Sequence, residues 1–170
     1  MDTLSHGLLA LLLCKEINNR TKKKLSVGKA FLFGIFPDFF SFTLLFIWGM
    51  ITLGVAHPPH DISRTEPIII LTNFLYSLSH SIIIFAIIFM LILIITKKYY
   101  FEMLGWLLHI LADVPTHSTS FYPTPLLYPI NGFAFNGIPW FSFWFVLINY
   151  LILGILGIYV YRHELSKYYQ

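Results

Sequence analysis

IIILTNFLYSLSHSIIIFAIIFMLILII, residues 68–95, decides how the rest of the chain is read. Roughly 20 consecutive apolar residues cross the hydrocarbon core of a bilayer. This run is long enough, is interrupted only by SLSHS in its middle, and is closed by Lys97 and Lys98. It predicts a membrane span with His80 near its centre and a basic, cytoplasmic end. The composition agrees: 57% of residues are hydrophobic and 11% charged, against about 25% charged in soluble domains. The expectation is an all-α, multi-pass transmembrane bundle forming a single domain over residues 1–170, without linker, repeat or low-complexity segment.

The flanking segments fill in the bundle. Leu4 to Leu13, extended through Asn18, reads as a retained first helix, because Met-Asp-Thr-Leu-Ser-His lacks the basic start of a secretory signal and no cleavage site follows Leu13. The basic loop KEINNRTKKKLSVGK is assigned to the cytoplasm. From Ala30 to Ala56 the chain is apolar except at Pro37-Asp38, where the missing backbone donor predicts a break. HPPHDISRTEP holds one basic residue, Arg64, and is assigned to the outer side. Tyr99 to Val114 is a further candidate span, ended by Pro115 and followed by a Pro, Gly and aromatic-rich loop. Trp140 to Tyr161 starts with an aromatic group and ends at Arg162 and His163. About five membrane segments result, with the N-terminus outside.

Ionisable residues inside such segments cost about 2.5 to 3.5 kcal/mol each and mark ion, proton or substrate sites. Here they are His6, Asp38, His80, His109 and Asp113. Positions i and i+4 share a helix face, so His109 and Asp113 reach one ion. His117 follows four residues later, but Pro115 takes it off that helix, leaving it a loop ligand or a substrate contact. The lone Cys14 excludes a multi-cysteine site. Imidazole and carboxylate donors suit zinc, manganese or iron, and one Zn2+ with an open position for water is the first expectation. The formal charge of +3 comes from clustered lysines and leaves no nucleic-acid footprint.

Each residue also has a simpler reading. Ser79 and Ser81 flank His80 and could satisfy its ring. Asp38 could cap a helix beginning at Phe39. His109 and Asp113 could be a hydrogen-bonded pair within one helix. HPPHD, residues 57–61, reads as a solvated turn, and His163 as ordinary surface. Trp140, Phe141, Phe143 and Trp144 read as interface anchors. The number of coincident exceptions favours ligation.

The motif order resembles a known family. An early His in TLSHGLLALLL, a Pro-Asp pair in GIFPDFFSF, a His-Ser in YSLSHSIIIF, then GWLLHILADVPTHSTSFYPTPLLYPI, are similar to membrane-bound metal-dependent hydrolases typified by the bacterial LexA-regulated inner-membrane hydrolase. That family is itself distantly similar to zinc-dependent phospholipase C. The resemblance implies His6, Asp38, His80, His109 and Asp113 as metal ligands, with His117 a weaker addition, in a prokaryotic inner membrane. Members carry further His and Asp residues where this chain reads FFSF and YSLS, which implies one ion rather than a cluster.

These residues predict a membrane metallohydrolase that turns a zinc-activated water on a lipid phosphoester, since a site at this depth meets membrane lipids first. Asp38 or Asp113, where not bound to metal, is the candidate general base. No phosphate-clamping Arg stands nearby in the sequence. Two alternatives use the same residues: metal-ion or proton transport, and a non-catalytic membrane protein whose polar groups fasten helices.

Overall fold

The structure, a computed structural model, describes residues 1–21, 23–55, 63–120 and 122–166. HPPHD and the lysines at 22 and 167 lie outside the described residues. Among those described, the secondary structure is helical: α1 (Thr3–Arg20), α2 (Val27–Thr52), α3 (Pro67–Ser79), α4 (Ile82–Thr96), α5 (Leu104–Asp113) and α6 (Phe143–Ser166). A short 3-10 turn, Phe101–Met103, leads into α5.

Local chemistry sets the helix ends. Asp2 caps α1 by accepting from the Ser5 amide at 3.0 Å, and Ser26 caps α2 by accepting from the Lys29 amide. Pro67 occupies the first turn of α3, where its missing donor costs nothing. The long apolar run does not form one helix. It stops at Ser79, and Ser81 starts α4 by accepting from the amides of Ile83 and Ile84 while donating to the Tyr128 carbonyl at 2.6 Å. The two halves are bent by 62°.

Two expectations are corrected. Pro37 does not break α2, which runs unbroken through it, so Asp38 is a mid-helix residue and not an N-cap. Pro37 deprives the Phe33 carbonyl of its helical donor, while nearby Ser41 Oγ donates to the Pro37 carbonyl at 2.7 Å and the Gly34 carbonyl accepts a bond from His109 of α5. Second, among the described residues two helices are long and apolar enough to cross a membrane, α2 and α6, or three if α3 and α4 form one bent span, fewer than the expected five. The 10 residues of α5 extend only about 15 Å. The 18 residues of α1 are diluted by Ser5, His6, Lys15, Glu16, Asn18 and Asn19.

The helices pack through small residues. A Cβ on Gly105 would lie 2.5 Å from the Ala30 carbonyl oxygen, and one on Gly34 would lie 2.8 Å from the His6 carbonyl oxygen. Such backbone-to-backbone approach is the usual way helices associate where burying apolar surface gives little advantage over lipid. It draws α1, α2 and α5 together. Against α5, Phe85, Met103, Trp106 and Ile110 form a buried cluster, and Trp106 Nε1 donates to the Ser79 carbonyl at 2.6 Å, fixing the end of α3.

α6 runs parallel to α1. Tyr150 donates to Asp2 and Asn149 to Ser5 at one end, while Asn19 donates to the Val160 carbonyl, and Lys15 pairs with Glu164, at the other. Its remaining faces carry exposed apolar residues such as Leu151, Ile155 and Ile158. The arrangement puts Lys15, Arg20, Lys29, Lys97 and Arg162 at one end of the bundle. Asp38 stands about 17 Å along α2 from that end, level with the α3–α4 break, the start of α1 and the end of α5.

Candidate metal centre

Three elements converge at this level and together deliver four ionisable side chains into the interior. Asp38 comes from α2, His80 from the α3–α4 break, and His109 and Asp113 from one face of α5. His80, His109 and Asp113 are at most 1% exposed as residues, while the Asp38 side chain retains 15%. One donor atom from each lies within 4.8 Å of the others, a group able to hold a metal ion.

The hydrogen bonds fix which atoms face inward. His109 Nδ1 lies 2.6 Å from the Gly34 carbonyl, which only accepts, so Nδ1 carries a proton and, in the neutral ring, Nε2 presents its lone pair. His80 is oriented by a chain of hydroxyls. Ser41 donates to the Pro37 carbonyl, Ser79 donates to Ser41 at 2.8 Å, and His80 Nδ1 then donates to Ser79 at 2.8 Å, with the Tyr76 carbonyl a second acceptor at 3.1 Å. The acceptors around Nδ1 hold its proton there, so in the neutral ring His80 Nε2 is also a lone pair. The sequence signalled Ser79; Ser41 and the Gly34 carbonyl gave no signal, because short polar residues and glycines are common in apolar helices.

The two Nε2 atoms are 3.1 Å apart. Each faces Asp113 Oδ2, at 3.4 Å from His80 and 3.3 Å from His109, and each lies 3.6 Å from Asp38 Oδ1. With both rings neutral, two lone pairs and two carboxylate oxygens at such distances call for positive charge among them, which a metal ion or protonated imidazole supplies. Donors at the 2.0–2.1 Å bond lengths of tetrahedral zinc sit about 3.3–3.4 Å from one another. The observed separations of 3.1–3.6 Å bracket that value, and Asp113 Oδ2 is a buried acceptor with no hydrogen bond. The residues therefore fit a divalent ion.

Rings and hydroxyls hold the group in place. Tyr76 stacks on His80 with centroids 3.8 Å apart, and His6 stacks on His109 at 3.6 Å. Thr3 Oγ1 donates to Asp38 Oδ2 at 2.6 Å, turning Oδ1 inward. His6 and His117 stand on the far side of Asp113, against Oδ1, with Nε2 at 2.8 and 3.3 Å. As expected, α5 ends at Asp113 and His117 lies beyond it; the backbone continues as turns, and the His117 amide donates to the Asp113 carbonyl at 3.1 Å, which brings its ring to Asp113 from the loop. The Met1 amino group also contacts Asp113 Oδ1, at 2.6 Å.

Partners of ligating imidazoles govern affinity, and their loss typically weakens metal binding about 10- to 100-fold. Ser79→Ala removes the hydroxyl relay and leaves His80 Nδ1 only the Tyr76 carbonyl. Weaker Zn2+ retention in that range is expected, measured by competition with a chelator, with helix content by circular dichroism unchanged.

No family model, curated protein or solved structure matches this chain.

Proposed function

We propose that the protein is a multi-pass membrane metallohydrolase of a prokaryotic inner membrane, acting on a lipid phosphoester, as the resemblance to membrane-bound metal-dependent hydrolases implies. The observation that carries the reading is the convergence of two imidazole lone pairs and two carboxylate oxygens in one buried group. His80, His109 and Asp113 would hold the ion, with zinc the first choice for a donor set without thiolate. The ion when bound supplies Lewis acidity and lowers the pKa of a water.

The chain's own residues supply the rest. Asp38 is the member of the group open to the outside, so substrate and water approach along it. Its Oδ1 accepts the proton of the attacking water and returns it to the leaving oxygen as the phosphorus–oxygen bond breaks. Thr3 fixes the carboxylate for that role. Phe39 and Phe40, next along α2, are exposed, which suits a substrate arriving laterally from the bilayer.

The test pairs metal content with turnover. Purified protein is expected to retain Zn2+ and to release head groups from phospholipid vesicles, while His80→Ala loses both. Equal metal in the two proteins, or no hydrolysis by metal-loaded protein, would reject the reading.

A second reading, metal or proton transport, is favoured by the 62° break at His80, since transporters build midplane sites from discontinuous helices. Zn2+ flux into protein-containing vesicles without lipid hydrolysis would select it.

A further inference from the structure

We propose that residues 123–141 form a re-entrant segment seated in the outer half of the bilayer, with its apolar side chains against lipid. The inference rests on α2 and α6 spanning the membrane, and on neither the metal nor the hydrolysis.

The depth of the segment follows from the helices around it. Asp38 and the α3–α4 break share one level. Beyond it α2 runs about 21 Å further, to Thr52, and the 13 residues of α3 cover about 20 Å on the way back. α1 begins and α5 ends at that level, so neither continues into the outer half. The segment follows α5 there, and it is tied at mid-depth in two places. At the break, the Ile82 amide donates to the Leu126 carbonyl at 3.0 Å and Ser81 Oγ to the Tyr128 carbonyl at 2.6 Å. On the turn after α5, the carbonyls of His117, Pro115 and Thr116 accept from the amides of Gly137, Ile138 and Trp140 at 2.7, 2.9 and 3.1 Å. A Cβ at Gly137 would collide with the Pro115 carbonyl, so only glycine permits this approach.

The side chains suit lipid. No Asp, Glu, Lys or Arg occurs from Ser118 to Tyr161. Ile130, Phe133, Phe135 and Ile138 are each more than half exposed, Ile130 by 80%. A contiguous exposed apolar surface marks an interaction site. This one runs on into Phe143 and Trp144, exposed at the start of α6, a helix long and apolar enough to span. Continuity with that lipid-facing helix selects the bilayer as the partner.

Irregular backbone is tolerated at membrane depth only where its polar groups are served by the protein or by water. Here the amides of Leu126, Tyr128, Ile130 and Asn131 donate to carbonyls within the segment, and the Phe133 amide donates to Asn131 Oδ1 at 2.7 Å. Pro123, Pro125, Pro129 and Pro139 have no amide hydrogen to satisfy.

The experiment places a thiol-linked, polarity-sensitive fluorophore on Phe133→Cys and, separately, on Phe135→Cys. The full chain is reconstituted in vesicles of phosphatidylcholine and phosphatidylglycerol. Wild type, whose lone Cys14 is buried, is the labelling blank. Ile155→Cys on α6 is the lipid reference and Ser63→Cys, in the exposed α2–α3 connection, the water reference. Nitroxide-bearing lipid is expected to quench the probes at 133 and 135 as strongly as at 155, and iodide present on both sides to leave them bright. Iodide quenching equal to that at 63, with 155 still quenched by lipid, overturns the re-entrant segment and leaves the spanning helices standing. Protection from both quenchers means a protein cover, such as a second copy, and overturns it too. Iodide quenching at 155 overturns the membrane reading itself.

Discussion

Asp113→Asn is expected to release metal from the centre and abolish the proposed hydrolysis with little change in shape. The side chain is isosteric, but the amide puts a neutral donor where the group needs an anion. Asp113 is the residue every imidazole of the centre touches: Oδ2 lies 3.3 Å from His109 and 3.4 Å from His80, and Oδ1 lies 2.8 Å from His6. Loss of a mere partner to a ligand costs up to about 100-fold in affinity, so loss of this carboxylate should exceed that. Zinc analysis of the purified variant, with turnover on phospholipid vesicles, checks it. Retention of metal at the wild-type level would remove Asp113 from the centre.

Gly105→Ala is the largest structural perturbation expected from one methyl group. The new Cβ would stand 2.5 Å from the Ala30 carbonyl oxygen and 3.2 Å from the Gly34 amide nitrogen, both backbone atoms that no rotamer change can move. α5 must shift away from α2. Overpacking of this kind costs about 1–3 kcal/mol, read as a lower midpoint of thermal unfolding in detergent. The same shift stretches the 2.6 Å bond from His109 to the Gly34 carbonyl, so weaker Zn2+ retention should accompany the lost stability. Ser substituted at the open Gly28, where a Cβ meets nothing, should change neither.

The sequence made the chemistry legible because ionisable groups stand out against an apolar background. His80, His109 and Asp113 could be singled out by the cost of placing them at depth, and the structure gathers them with Asp38. The helical architecture was legible for the same reason. Lengths and breaks were not. Pro37 read as an interruption because its local effect is visible in sequence, whereas the close packing of that stretch against α1 and α5 is not. SLSHS read as a polar interruption of one span, and the bend at His80 depends on Ser81 reaching the Tyr128 carbonyl, 47 residues away. α1 and α5 are too short or too polar to span alone. The end of α5 before His117 was legible from Pro115, but where the next turn points was not, because a proline after a helix fixes only where the regular ladder ends.

One consequence of the burial pattern concerns timing. Of the four donors, only the Asp38 carboxylate is open to the outside, so under the proposed function the ion and the substrate would share a doorway. On that proposal loading would precede catalysis, and an engaged lipid would shield the metal from chelators.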